Sequence, residues 1–482
     1  MNRASWYGVV VMCAAVCAVV PVSAVSQQPA SAKPALDTSD VEAVQRWLGA
    51  HAIPLKSVQA GAGFDDLRPL ETTLRGVRLV GLGEATHGTR EFFQFKHRML
   101  EFLVERMGFR VFAIEASFAA CETINDYVLA GKGDRAAALA SQGFWTWDTH
   151  EVADMIDWMR AYNSHVTDAN KVQFVGYDIQ NYNRSFDVIA AYLDRVAPRY
   201  LPTAKLAFKA LQPNSETGKL GFDKRSGEVK ATELSRLWEL YDFLEAHGEQ
   251  FVQRTSAAEF EQVLQHARGL LQFDDAFNRV DLDTANLAES TSALRDRYMA
   301  ENIQHLLSAE PPKTRMVVWA HNGHIQADSS DPPTMGRYLR DAFGKAYYAF
   351  GFEFDSGSFQ SRELLGQDLS AMGTGHGIGA LREFTVGPAA PGSVAWYLER
   401  ARQGKPFSNY IVALRSAPTD GPVGRWLSSP HLMFAVGAVF SDSMPPDQYM
   451  APTVLREAFD GLIFIEKTTR AQPNPTAISA TR

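Results

Sequence analysis

A strand-like run, Val77 to Gly83, empties into a tight turn that carries Glu84, His87 and Gly88 before a helical pattern begins. A buried strand followed by glycines and then a helix is the βα turn at which open parallel sheets build their sites. What fills the turn decides the chemistry. Dinucleotide-binding turns place glycines where a pyrophosphate must approach the backbone. Here a carboxylate and an imidazole occupy that space, which disfavours bound phosphate and favours proton transfer.

Further buried-strand runs follow at Arg110–Ile114, Val172–Gly176, Met316–Ala320, Tyr347–Phe352, Tyr410–Leu414 and Leu462–Ile465. Helical spacing separates the early ones, at Arg90–Met107, Cys121–Ala130, Val152–Asn163 and Phe186–Val196. This alternation predicts an α/β fold, a mostly parallel central sheet flanked by helices. From about residue 185 to 310 the pattern becomes long helical spacing, at Glu233–Val252, Ala257–Phe273 and Leu287–Leu307. That stretch reads as a helical insertion or cap, interrupted by a loop over Pro213–Lys230.

Chemistry-bearing residues gather just past the strands: Glu84 and His87, then Glu115, Asp178, His321 with His324, and Glu353. Ligands of parallel α/β sheets bind at those carboxyl ends, and acids are rarely buried unless paired. The helix after the first turn adds a cation. At 100° per residue, Lys96 falls near the middle of the apolar stripe Phe92, Phe95, Met99, Leu103 and Met107. An inward lysine requires a partner, and the strand-end acids are the obvious ones. A helix starting near Thr89 would point its positive end at His87 and favour the neutral imidazole of a general base.

Other signatures are missing. No Gly-x-Ser-x-Gly elbow supports a serine nucleophile, and His150-Glu151 lacks the second histidine of a zincin helix. Gly375–Ala380 matches a Gly-x-Gly-x-x-Ala pattern without a buried strand before it, so Gly373–Gly379 reads as a loop. Trp145-Thr-Trp147 could wall a pocket or pack in the core. Two chemistries fit the Glu/His/Glu/His set: a water activated by His87, or a divalent metal held by the same acids and histidines.

The ends and composition bound the rest. Arg3, the apolar run Trp6–Val20 and the small-residue site Val22-Ser-Ala24 read as a secretory signal over residues 1–24. A Pro/Ala/Ser-rich, disordered lead-in is expected over 25–40, then one domain from 41 to 482. Cleavage would leave Cys121 as the only cysteine, so no intramolecular disulfide is expected. A formal charge of −8 without basic clusters excludes a nucleic-acid partner. The expected product is periplasmic or extracellular, with no stable membrane insertion.

Spaced blocks resemble the erythromycin esterase family: Gly83-Glu-Ala-Thr-His-Gly-Thr89, Glu91-Phe-Phe-Gln-Phe-Lys-His97, Glu105-Arg-Met-Gly-Phe109 with Glu115, Val175-Gly-Tyr-Asp178, Arg295-Asp-Arg-Tyr-Met-Ala300, Ala320-His-Asn-Gly-His-Ile-Gln326 and Phe459-Asp-Gly-Leu-Ile-Phe464. The resemblance implies a metal-independent hydrolase, without cofactor, that opens a small-molecule ester or lactone. Its best-known members cleave the macrolactone of erythromycin-type antibiotics. Carried over by position, His87 activates water, Glu84, Glu115 and His321 are further catalytic positions, and His324 accompanies His321. Lys96, Asp178 and Glu353 are expected to support the cleft. Lys96 stands where macrolide-cleaving members can carry arginine, and the two cations are not interchangeable at a geometric site. A metal-dependent hydrolase and a haem- or ligand-binding protein of the wider fold group are the alternatives.

Overall fold

A computed structural model of the chain describes residues 38–211, 227–278, 290–365, 377–443 and 445–479. The expected signal over 1–24, nearly all of the 25–40 lead-in, and most of the 213–230 and 373–379 loops lie outside them. The described strands are β1 (Ile53–Pro54), β2 (Leu79–Leu82), β3 (Val111–Ser117), β4 (Gln173–Asp178), β5 (Met316–Trp319) and β6 (Tyr347–Leu364). They continue as β7 (Ile378–Val386), β8 (Tyr410–Ala413), β9 (Pro430–Phe434), β10 (Val439–Phe440), β11 (Met450–Val454) and β12 (Gly461–Thr468).

Ten of these strands share one sheet, in the order β1-β8-β12-β6-β2-β5-β3-β4, with β7 and β10 added on β6; β9 and β11 pair separately. From β12 to β4 every neighbour is parallel, while β8, β1 and β7 join antiparallel. The fold is therefore α/β around a mostly parallel sheet. From β2 the chain steps outward to β3 and β4, returns to insert β5 between β2 and β3, then crosses β2 to lay down β6. Such a reversal is where open parallel sheets bind their ligands, here at the carboxyl ends of β2, β5 and β3.

Both faces of the sheet are covered, which is why its strands read as continuous apolar runs. Val80, Leu82, Phe112, Ile114, Val317, Trp319, Phe350 and Phe352 point into one core with Phe92, Phe95 and Met99 of helix Arg90–Met107. Leu79, Val111, Ala113, Met316, Val318, Tyr347 and Ala349 point into the other with Met299, Ala300 and Ile303 of helix Thr291–Ser308. Helices Asn183–Val196, Leu201–Leu211, Gly227–Ala246, Gly248–Arg254 and Ala257–Phe273 surround a core of their own, including Leu193, Leu240, Leu244 and Phe251. Among the described residues no helix is long and apolar enough to cross a membrane.

Three expectations need correction. The run expected to stop at Phe352 continues as strand to Leu364, so Glu353 lies inside β6 and not past its end. Glu115 likewise sits within β3. The described end of the expected 373–379 loop already enters β7, whose mostly part-exposed residues, with Arg382 and Glu383 among them, gave no buried run.

Candidate active site

The turn after β2 is held by close backbone contact. Gly83 N–H donates to Phe350 O at 2.9 Å, and Asn322 N–H donates to Glu84 O at 2.9 Å. A Cβ on Gly83 would lie 2.1 Å from Asn322 Oδ1, and one on Gly88 would lie 2.0 Å from Gln360 O. Neither position accepts a side chain. The Thr86 and Thr89 hydroxyls meet at 2.6 Å and close the loop. Glu84 and His87 are thereby fixed by the frame around them.

Glu84 is buried and fully engaged. Lys96 Nζ donates to its Oε2 at 2.6 Å, Trp319 Nε1–H to the same oxygen at 2.7 Å, and His87 Nδ1 meets Oε1 at 2.6 Å. Burial would push this carboxyl up, but the Lys96 charge and the His87 bond outweigh it and hold Glu84 below its usual range. An ionised carboxylate only accepts, so Nδ1 carries the proton and the neutral ring has its lone pair on Nε2. Lys96 Nζ also lies 4.1 Å from the centroid of the Trp319 ring. Burial lowers this ammonium to about 8, with Glu84 opposing the shift.

A second cluster is built around Arg295. Its Nη2 donates to Glu115 Oε1 at 2.6 Å and to Asp178 Oδ2 at 2.8 Å, and its Nε donates to Asp178 Oδ1 at 3.1 Å. His324 is pinned between Asp296, at 2.5 Å from Nδ1, and the Arg295–Glu115 pair, at 3.1 and 3.3 Å from Nε2. Burial would raise Glu115; the His324 ring, the Arg295 guanidinium and His87 hold it far below the usual carboxylate range. Arg295 is thus the buried counter-ion of two acids.

His321 joins the clusters. Its backbone N–H donates to Glu115 Oε2 at 2.9 Å, and its ring centroid lies 5.1 Å from that of His87. Its Nδ1 accepts from Gly323 N–H at 3.1 Å while capping the short helix Asn322–Ile325. Burial, and then the neighbouring His87 and His324, lowers this imidazole to about 3. The neutral ring therefore carries its proton on Nε2, a buried donor with no hydrogen-bond partner among the described residues.

The structure thus brings together Glu84, His87, Lys96, Glu115, Asp178, His321 and His324. It does not bring Glu353 to them. The side chains of Phe350, Phe352 and Phe354 turn to one core, and Glu353 projects the other way. Its oxygens accept from Phe354 N–H at 3.3 Å and Phe434 N–H at 3.2 Å, and burial without a cation raises it well above the carboxylate range. Sequence reasoning missed the roles of Arg295, Asp296 and Trp319. Arg295 lies four and eight residues before the buried Met299 and Ile303, so the stripe argument that found Lys96 would have found it too.

The donor set does not suit a resident metal. Glu84 and Glu115 are each held by an internal cation, and among the described residues no group of three His, Cys, Asp or Glu side chains is arranged around a common point. Lys96 and Arg295 already supply at these acids the positive charge that a metal would bring.

The model of the Erythromycin esterase family matches residues 104–468. It begins after the Glu84–His87 turn. The erythromycin esterase type II of Escherichia coli is 25% identical over 442 residues, 88% of this chain and 98% of that protein. YbfO of Bacillus subtilis (strain 168) is 25% identical over 444 residues, 88% of this chain and 90% of that protein. A solved Bacillus cereus protein is 26% identical, with a TM-score of 0.76 over 90% of this chain and 99% of that one. A mutant of the erythromycin esterase EreC, solved in its open conformation, shares the fold at 16% identity, with a TM-score of 0.61 over 86% of this chain and 96% of that one. With most of its length matched, the chain belongs to the erythromycin esterase family of hydrolases.

Proposed function

We propose that the protein hydrolyses a carboxylic ester or lactone, the macrolactone of erythromycin-type macrolides being the leading substrate, with a water activated by His87. The observation that carries this reading is the Glu84–His87 pair, 2.6 Å apart and buried, which fixes the imidazole with its basic nitrogen away from the acid. His87 Nε2 takes a proton from water as the water oxygen bonds to the carbonyl carbon and the carbonyl π pair moves onto oxygen. The tetrahedral intermediate then collapses, the C–O bond breaks, and the alkoxide recovers the proton from His87, releasing acid and alcohol. In this reading His321 Nε2–H donates to the developing oxyanion. Lys96, engaged with Glu84, keeps that acid ionised and does not reach for substrate.

Incubation with a panel of macrolides and simple esters, followed by mass spectrometry, tests the reading. A gain of one water on a macrolide supports it, and no turnover of any ester or lactone sinks it. Exhaustive chelation is expected to leave the initial rate unchanged, because the acids already hold Lys96 and Arg295. Activity lost to a chelator and restored by stoichiometric zinc would favour the metal reading. We further propose export through the N-terminal signal, tested by fractionating cells that express the full chain; a product found only in the cytoplasm would refute it.

Lys96 sets a pH limit. Its ammonium is charged below about 8 and neutral above, and Glu84 loses its cation as that proton leaves. Turnover should therefore fall as pH rises through about 8. A guanidinium stays protonated far beyond that pH, so Lys96→Arg should move the alkaline limb upward. A limb unmoved in the pH–rate profile of the variant would show that another group titrates.

A further inference from the structure

Trp147 ends a short turn ahead of helix His150–Ser164 and is 3% exposed. Its ring meets that of His87 edge-on, with centroids 6.2 Å apart, and meets Phe144 in the same manner at 5.7 Å. Its indole Nε1–H has no hydrogen-bond partner among the described residues. An indole nitrogen only donates, and a buried donor left without an acceptor destabilises the fold. The cost is avoidable, since phenylalanine would pack against the same apolar neighbours without it.

The same condition holds at His321, whose Nε2–H is also buried and without an acceptor. Two rings that each carry an unsatisfied donor therefore pack against the one imidazole assigned as the base. No resting-state acceptor for either lies among the described residues, whereas an ester carbonyl attacked by a water on His87 would bring one. Resting on the proposed hydrolysis, we infer that Trp147 is a catalytic residue whose indole N–H, with His321 Nε2–H, binds the oxyanion formed when the ester carbonyl is attacked. Donors placed for a charge that exists only in the transition state raise kcat with little effect on substrate binding. Trp147 thereby also limits the substrate to esters whose carbonyl can enter between two aromatic rings.

The test is Trp147→Phe, read on the ester found to be turned over. It should lose about 10²-fold in kcat, the scale of one oxyanion donor, with KM changed less than about threefold and Tm equal to or above that of the wild type. A Trp147 that only packs would give the opposite pattern: a lower Tm and an unchanged kcat in the folded fraction. Should the phenylalanine variant fail to fold, 3-benzothienylalanine at position 147 keeps the ring shape and removes the N–H. Its kcat must fall by the same order, and retained kcat overturns the inference. His87→Ala separates the two readings. Turnover absent from the wild type refutes ester hydrolysis itself, whereas turnover lost in His87→Ala but kept in Trp147→Phe refutes the role of Trp147 alone.

Discussion

Replacing His87 by alanine is expected to lower kcat by about 10²–10⁴-fold, the contribution of a positioned general base, while the protein stays folded. The two halves of that statement have separate causes. Activity falls because no other described group beside the turn can accept a proton in the same way. His321 is a donor at Nε2, held so by Gly323 N–H at its other nitrogen, and Glu84 has Lys96 and Trp319 on its second oxygen. Stability is largely kept because those two donors continue to hold Glu84 Oε2, and only Oε1 loses its donor when the imidazole is gone. The loss should not exceed about 1–2 kcal/mol, within the ordinary range for a point mutation. Steady-state kinetics and thermal unfolding of the same preparation check both halves. Added imidazole should recover part of the rate by occupying the space left by the ring, and near-wild-type kcat in the variant would end the water-activation reading.

Much of this site could be read from the sequence because two periodicities constrain it. The apolar run before Gly83 fixes where a strand must end, so Glu84 and His87 fall at the mouth of the sheet. The 3.6-residue spacing of Phe92, Phe95 and Met99 turns Lys96 to the same side. Both arguments use only residues within one element of each other. Glu353 was misplaced for a complementary reason. The length of a strand depends on its neighbours, and β6 is prolonged to Leu364 by pairing first with β12 and then with β7. Of these partners β12 has its own apolar run, whereas β7, with Arg382 and Glu383 in its middle and a mostly part-exposed pattern, gives no such run. The small β9–β11 pair is hidden likewise, because Pro430 and Pro452 argue against strand when met in isolation.

The Arg295 cluster shows where one-dimensional reading stops. Arg295 is separated from Asp178 by 117 residues and from Glu115 by 180, and only the return of the chain to lay β5 between β2 and β3 brings them together. A stripe argument can say that Arg295 turns inward, but which acids it meets depends on the strand order. Trp319 is similar. It reads as the last apolar residue of a buried strand, and its value to the site lies in a single N–H that reaches Glu84 across the β2–β5 pair. The polar frame is therefore a product of topology, while the reacting dyad is local.

That frame carries the largest stability effect. Arg295→Met should destabilise the protein by about 3–5 kcal/mol, the cost of breaking a buried ion pair by removing one partner, because Glu115 and Asp178 both lose their guanidinium. The pH dependence gives the mechanism away. In the wild type Glu115 is held far below its usual range, so its contribution is present above the unfolded value of about 4.5 and is lost as pH falls towards the folded one. Without Arg295 one of the charges that oppose burial is gone while His324 and His87 remain, so the Glu115 carboxyl moves up towards its usual value. Less of its ionisation then favours the folded state, and the stability lost by the variant is largest near pH 7 and shrinks as pH falls below the unfolded value of about 4.5. The stability curves of the two proteins therefore converge in acid. Urea unfolding of both at several pH values measures the convergence, and Glu115→Gln with Asp178→Asn in the Arg295→Met background should recover part of the loss at pH 7. A variant whose midpoint falls equally at every pH has lost packing and not a counter-ion, and the assignment of Arg295 as the buried cation of this site would then be wrong.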